Sequence, residues 1–246
     1  MKLVLLGTTG YHPCDRRQTA CFMLPEVGIV LDAGTGMYRV RERLATDELD
    51  IFLSHAHLDH IVGLTFLFDV LYEKHVKRVT VHAGEPTIAA IRDHLLAPAV
   101  FPVALPCEYR PLSGEVPLAG GGRLTHFPLE HPGGSTGFRL DWPGRSMAYV
   151  TDTIARPGAD YIAAIRGVDL LVHECYFDDS MHSWAERTGH SSTTNVARVA
   201  READVGRLLL VHVNPLPGVH DPIGLEVAQA IFPQAELGVD QMEIEF

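Results

Sequence analysis

Three imidazoles and a carboxylate fall within six positions in the stretch Leu53-Ser54-His55-Ala56-His57-Leu58-Asp59-His60. Borderline-soft divalent cations such as zinc take imidazole nitrogen and carboxylate oxygen, so this stretch has the donors of a metal site. In an extended segment His55, His57 and Asp59 share one side, while a helix starting near Asp59 turns His60 in a different direction. Three donors on one point and a fourth on a neighbouring point is what a two-metal site requires.

Further donors stand at the ends of apolar runs. Asp152 follows Ala148-Tyr149-Val150-Thr151, and His212 follows Leu208-Leu209-Leu210-Val211. His131 precedes a run that starts near Thr136, and His190 precedes a helix-like run. A single His or Asp at a strand end is more often a cap or a satisfied core group. Together with the first stretch, the four read as parts of one metal-dependent chemistry. Asp32, between a strand and the glycines of Asp32-Ala33-Gly34-Thr35-Gly36, reads equally as a hydrogen-bond acceptor behind a metal ligand or as a helix cap.

These residues need a scaffold, and the chain has one. Its 246 residues are 46% hydrophobic, enough for a full core in one large domain spanning 1–246 and built of two similar halves. Short strands are expected at 2–6, 19–24, 28–32, 50–53 and 79–82, with helices at 37–44, 61–72 and 85–96. After Pro98, prolines and Gly120-Gly121-Gly122 punctuate short runs at 123–127, 136–140 and 146–150, which read as antiparallel strands. Strands at 169–173 and 207–211 and helices at 193–202 and 222–232 complete the pattern. The fold class is α/β, with the donors at strand ends, where such layers place their ligands.

Composition excludes several functions. The net charge is −11, from 31 acidic and 20 basic residues, which argues against a broad polyanion-binding face. The basic groups Arg39-Arg41-Arg43 and Lys74-Lys77-Arg78 read as solvated faces. Nothing approaches the roughly 18–20 uncharged apolar residues of a membrane helix. The apolar start at Met1–Leu6 is too short for an export signal and reads as the first strand. Four cysteines without C-x-x-C spacing fit reduced thiols, and the expected location is the cytoplasm.

The order His55-x-His57-x-Asp59-His60, then His131, Asp152 and His212, resembles the metallo-β-lactamase superfamily over nearly the whole chain. The resemblance implies a four-layer αβ/βα sandwich of two mixed sheets with helices outside. It also implies two divalent ions, zinc first, with manganese or iron as alternatives. His55, His57 and His131 would hold one ion, Asp59, His60 and His212 the other, and Asp152 both. The lactamases themselves usually carry cysteine where Asp152 stands, so lactam hydrolysis is not expected.

Three further segments are similar to the RNase Z-like phosphodiesterases: Leu5-Leu6-Gly7-Thr8-Thr9-Gly10 with the loop through Arg17, His173-Glu174-Cys175-Tyr176, and Gly189-His190-Ser191-Ser192. In that branch the matching Glu and His relay a proton to the leaving oxygen, which gives those roles to Glu174 and His190. Asp59 would orient a water that two cations acidify. Members that process tRNA carry a long arm, in bacterial forms between the ligands matching His131 and Asp152. Here some twenty residues separate the two, enough for a hairpin. The expectation is therefore a small or cyclic phosphodiester rather than extended nucleic acid or RNase Z-type RNA processing.

A lactone, carboxyl-ester or thioester hydrolase on the same scaffold is the alternative. It would leave the Glu174–His190 pair without an obvious task. Relatives in the branch are often homodimers, although no interface is legible in the sequence. Arg16 and Arg17 lie in a loop that could reach the substrate, and solvation is their simpler reading.

Overall fold

The computed structural model describes residues 1–216 and 219–246. The chain divides into two compact units, Met1–Ser113 with Asp240–Glu245, and Gly114–Val239 with Phe246.

The first unit is a seven-stranded sheet. Its strands are β1 (Lys2–Gly7), β2 (Cys21–Leu24), β3 (Ile29–Leu31), β4 (Glu48–Phe52), β5 (Arg78–Ala83), β6 (Glu108–Pro111) and β14 (Glu243–Glu245), in the order β14-β1-β2-β3-β4-β5-β6. The first three pairings along that order are antiparallel and the last three parallel. The second unit carries β7 (Val116–Leu118), β8 (Gly122–Leu129), β9 (Ser135–Trp142), β10 (Arg145–Val150), β11 (Leu170–Glu174), β12 (Arg207–Val211) and β13 (Ala235–Leu237). Read from β7 to β13, its sheet repeats the same series, three antiparallel pairings followed by three parallel ones. In this correspondence β3 matches β10, β4 matches β11 and β5 matches β12.

Period-two alternation accounts for the core of the first unit. Val4, Leu6, Met23, Val30, Ile51 and Val81 point to one face of the sheet, where they meet Met37, Val40, Ile61, Leu64, Leu67 and Ile88. The opposite face is buried too, with Phe22, Leu31 and Phe52 wholly inaccessible. Strands covered on both faces read as continuous apolar runs, which is why 29–31 and 207–211 were legible. In the second unit α7 (Thr193–Glu202) lays Val196, Ala197, Val199 and Ala200 against Leu171, Leu208 and Leu210.

Several elements differ from the sequence expectation. The segment expected as one helix over 61–72 is three pieces: α2 (Leu58–Ile61), a 3-10 stretch (Val62–Phe66) and α3 (Leu67–Leu71). The cause is Gly63, whose N–H donates to Ala33 O at 2.7 Å. A Cβ there would lie 2.2 Å from Gly34 O. Two backbones meet at this point, and the helix gives up its regular ladder to let them. The same approach brings Ala33 N–H to His60 O at 2.8 Å, so it also sets where His60 stands.

The run expected as a helix over 85–96 is α4 (Glu85–Ala90) followed by a π turn (Ile91–Leu95). After Pro98, β6 adds parallel to β5 rather than in the antiparallel series, because 97–107 is a loop that returns the chain to the same sheet end. A helix at His182–Thr188 and the edge strands β13 and β14, each three residues long, carry too little periodicity to be read in advance.

Apart from Arg39, members of the basic clusters sit on solvated faces, in exposed ion pairs. Lys77 meets Asp47 at 2.6 Å, Arg78 meets Glu48 at 2.5 Å, and Arg43 pairs with Glu243. Arg39 departs from the solvated reading: it forms a largely buried ion pair with Asp240 at 2.5 Å. Arg17 departs as well. It is half-buried, donates to Thr8 Oγ1 at 2.6 Å, and burial lowers its pKa, while Arg16 is exposed. Among the described residues no helix is long and apolar enough to cross a membrane, and all four cysteines are thiols outside any disulfide.

Candidate functional site

In the first unit the donors sit on the loop from β4 into α2. His55 and His57 meet edge to face with ring centres 4.5 Å apart, and His55 and His60 lie 4.3 Å apart. Asp59 Oδ2 stands 3.3 Å from His60 Nε2. Beneath them is Asp32, fully buried at the end of β3 with φ 56°. Its Oδ2 accepts from His60 Nδ1 at 2.8 Å and from Ser54 Oγ at 2.9 Å, and its Oδ1 accepts from Ser54 N–H at 2.8 Å. Ser54 Oγ in turn meets His55 Nδ1 at 3.0 Å.

One carboxylate therefore fixes two imidazoles, His60 directly and His55 through Ser54. With Nδ1 engaged on each ring, the coordinating role falls to Nε2. Of the two readings of Asp32, the hydrogen-bond acceptor is the one realised. The following 3-10 helix is preceded by Gly34 and has no side-chain cap. Ser54 was not singled out in the sequence as an orienting residue; its place between Asp32 and His55 shows only in the fold.

In the second unit the candidates come from separate loops, at the C-terminal ends of β8, β10, β11 and β12 and ahead of α7. Asp152 Oδ2 lies 3.5 Å from His131 Nε2, and its Oδ1 lies 3.2 Å from His212 Nε2. All three side chains are within 3% of full burial. Asp152, His190 and His212 each offer a ligand atom within 4.8 Å of the others. Asp152 and His212 take positive φ, 37° and 54°, a strained backbone that points a strand-end side chain sideways.

His131 Nδ1 donates to Gly189 O at 2.8 Å. Burial lowers the His131 pKa, which keeps it neutral and able to coordinate. Gly189 serves twice: it ends the helix His182–Thr188 at φ 79°, and a Cβ there would meet Pro132 Cδ at 2.3 Å and His131 Nδ1 at 2.9 Å.

The structure brings Glu174 and His190 together. His190 Nδ1 donates to Glu174 Oε1 at 3.1 Å. Glu174 is fully buried, and it also accepts Thr153 N–H at 2.9 Å and Tyr176 N–H at 3.2 Å. Behind it, Tyr161 O–H donates to His173 Nε2 at 2.9 Å and His173 Nδ1 donates to Glu174 O at 2.7 Å. Burial lowers the His173 pKa and raises that of Tyr161, so both stay neutral in this chain.

Tyr176, which carried only a motif match in the sequence, stacks on His190 with ring centres 4.6 Å apart and 18° between planes. His190 is thus clamped between a carboxylate and an aromatic face. A cavity of about 480 Å³ in this unit, lined by Leu129, Glu130, Thr153, Arg156 and Tyr161 among others, contains none of the expected ligands.

These are two sets of imidazoles and carboxylates, in which His55, His60, His131 and His190 are oriented by hydrogen bonds on Nδ1. That chemistry fits divalent metal ions in the zinc class. Residues 28–213 match the family described as the beta-lactamase superfamily domain. The chain belongs to that superfamily, and the reaction class it defines is hydrolysis.

Ribonuclease BN of Escherichia coli is 28% identical over 98% of this chain and 98% of its own length. The metallo-beta-lactamase fold protein YhfI of Bacillus subtilis superposes with a TM-score of 0.82 at 21% identity, over 99% of each chain. The short form of human tRNase Z gives 0.78 at 21% identity, over 100% of this chain and 99% of its own. The α/β fold with two mixed sheets is therefore the metallo-β-lactamase fold, as the motif order implied.

Proposed function

We propose that this hydrolase is a phosphodiesterase acting on a small or cyclic phosphodiester. The observation that carries the reading is the Glu174–His190 pair, a buried carboxylate bonded at 3.1 Å to an imidazole that stands beside Asp152 and His212. An alkoxide leaving group needs a proton, and an imidazole held in one orientation by a carboxylate can deliver it from Nε2. A thioester, which releases a stable thiolate, has no such need.

The donors of both units, His55, His57, Asp59, His60, His131, Asp152 and His212, are the proposed ligands. Divalent ions bound there, zinc in this reading, would supply Lewis-acid stabilisation of phosphoryl oxygens and acidify a water to near neutrality. Asp59 orients the attacking water through a carboxylate whose Oδ2 is already engaged by Tyr11 N–H at 2.7 Å. His190 protonates the departing oxygen, and Glu174 stabilises the imidazolium before the transfer.

The preference for a small substrate rests on length and charge. The alignment with Ribonuclease BN runs over 302 positions, whereas this chain has 246 residues, so the relative carries segments that this chain lacks. Between His131 and Asp152 there is only the β9–β10 hairpin. The net charge of −11 and the ion-paired basic clusters give little for an extended polyanion to bind. Residence in the cytoplasm, in line with the four thiols, and a homodimer complete the proposal.

The test is metal-loaded protein assayed on bis-p-nitrophenyl phosphate, cyclic nucleotides, a lactone and a thioester. Turnover of the diesters with about two bound ions per chain is expected. Protein replete with metal, inert on diesters and active on the lactone or thioester, overturns the reading.

A further inference from the structure

The loop between β1 and β2 is fastened at its base and at its tip. At the base, Thr9 N–H donates to Gln18 O at 3.0 Å. There too, Asp240 accepts from Thr8 Oγ1 at 2.7 Å, Gln18 N–H at 2.7 Å and the Arg39 guanidinium at 2.5 Å. At the tip, the N–H of Tyr11 donates to Asp59 Oδ2 at 2.7 Å.

Tyr11 itself is anomalous in two ways. Its φ is 62°, a region bulky side chains avoid, and its side chain is 75% exposed. Among the described residues its ring meets the neighbouring His12, edge-on at 5.4 Å, with His12 anchored to Pro13 O at 2.9 Å. Folding thus spends backbone strain to hold a large aromatic ring in solvent, and strain of this kind persists where function uses it.

Bond lengths limit how far that ring can stray from the chemistry. With the backbone N–H on Asp59, the ring centre lies within roughly 8 Å of that carboxylate. A phosphoryl group at Asp59 therefore has an aromatic ring no farther away than the base of a nucleoside can reach.

We propose that Tyr11 is the platform on which the base of a nucleoside phosphodiester stacks, which makes nucleotides the substrate class. This rests on the phosphodiesterase reading for the reaction but not for the binding. Stacking on a tyrosine face is tolerant of base identity, so no preference among the four bases is expected.

Binding to the metal-loaded chain, measured by calorimetry, tests it without turnover. Adenosine 5′-monophosphate should bind about ten-fold tighter than ribose 5-phosphate, the gain expected of one stacked base. Tyr11→Phe keeps the ring and should keep that ratio. Tyr11→Gly, which relieves the positive φ and retains the N–H to Asp59, should bring the two ligands to equal affinity. An equal affinity in the unmodified chain, or a ratio that survives Tyr11→Gly, overturns the proposal. An intact ratio in a chain that hydrolyses no phosphodiester would support the stacking role while removing the reaction assigned above.

Discussion

Asp32 and Asp152 occupy the same slot in the two sheets. Each follows the strand where antiparallel pairing gives way to parallel pairing, β3 or β10, and each is buried at a positive φ. Their partners differ. Asp32 accepts from Ser54 and from the Nδ1 of His60, the nitrogen that would not face a metal. Asp152 instead approaches the Nε2 atoms of His131 and His212, the nitrogens that would coordinate one.

One topological position thus serves as a brace in the first unit and as a candidate ligand in the second. The cause is what the next strand delivers. After β4 comes a run of candidate ligands needing support, and at the end of β11 comes Glu174 with its own partner, His190.

The strongest way to break this contrast is to remove each carboxylate. Asp152→Ala should lower diester turnover by more than about 100-fold and cost bound metal. Asp32→Ala should weaken metal affinity by about 10- to 100-fold while leaving turnover near normal at saturating metal. Metal titration with steady-state rates checks both, and equal behaviour of the two variants would end the distinction.

Next in size is His190→Ala. It should cost about 10²- to 10⁴-fold on a diester with an alkoxide leaving group and much less on p-nitrophenolate. Equal losses on both substrates would assign His190 to metal binding with Asp152 and His212 instead of to proton delivery.

Gly189→Ala sharpens the part that assembles from separate loops. The αL backbone alone costs about 1–2 kcal/mol, and the new Cβ would press on Pro132 and His131. A lower unfolding midpoint and weaker metal binding are expected together. No equivalent coupling should appear at Gly114, where a Cβ would meet nothing within 4 Å.

The smallest effect concerns pH. Burial lowers the folded pKa of His173 from its ordinary 6.5. Its contribution to stability is then fully present above about pH 6.5 and is lost progressively as pH falls from there to the folded value. His173→Gln should flatten that acid limb in denaturant unfolding, and an unchanged slope would remove His173 as its source.

Much of the first unit's cluster was legible because its donors are contiguous. His55, His57, Asp59 and His60 are close whatever the chain does beyond them. The donors of the second unit were legible only as isolated residues after apolar runs, and their meaning came from motif order. Tyr176 and Ser54 were present in the quoted motifs without a role. The stacking of Tyr176 on His190 and the bond from Ser54 to Asp32 are contacts between separate segments of the chain. Tyr11 gave no signal at all, since a positive φ and an exposed ring are properties of the folded loop.

By itself, the sequence determined the α/β class, the strands that alternate or run apolar, and the residue types able to hold a metal. Those follow from local periodicity and donor chemistry, which neighbouring residues decide. Tertiary structure decided which nitrogen of each histidine is engaged, where Gly63 interrupts a helix to seat His60, and that Asp32 braces rather than caps. These depend on backbones and side chains from remote segments arriving within hydrogen-bonding distance, and no local pattern encodes that arrival.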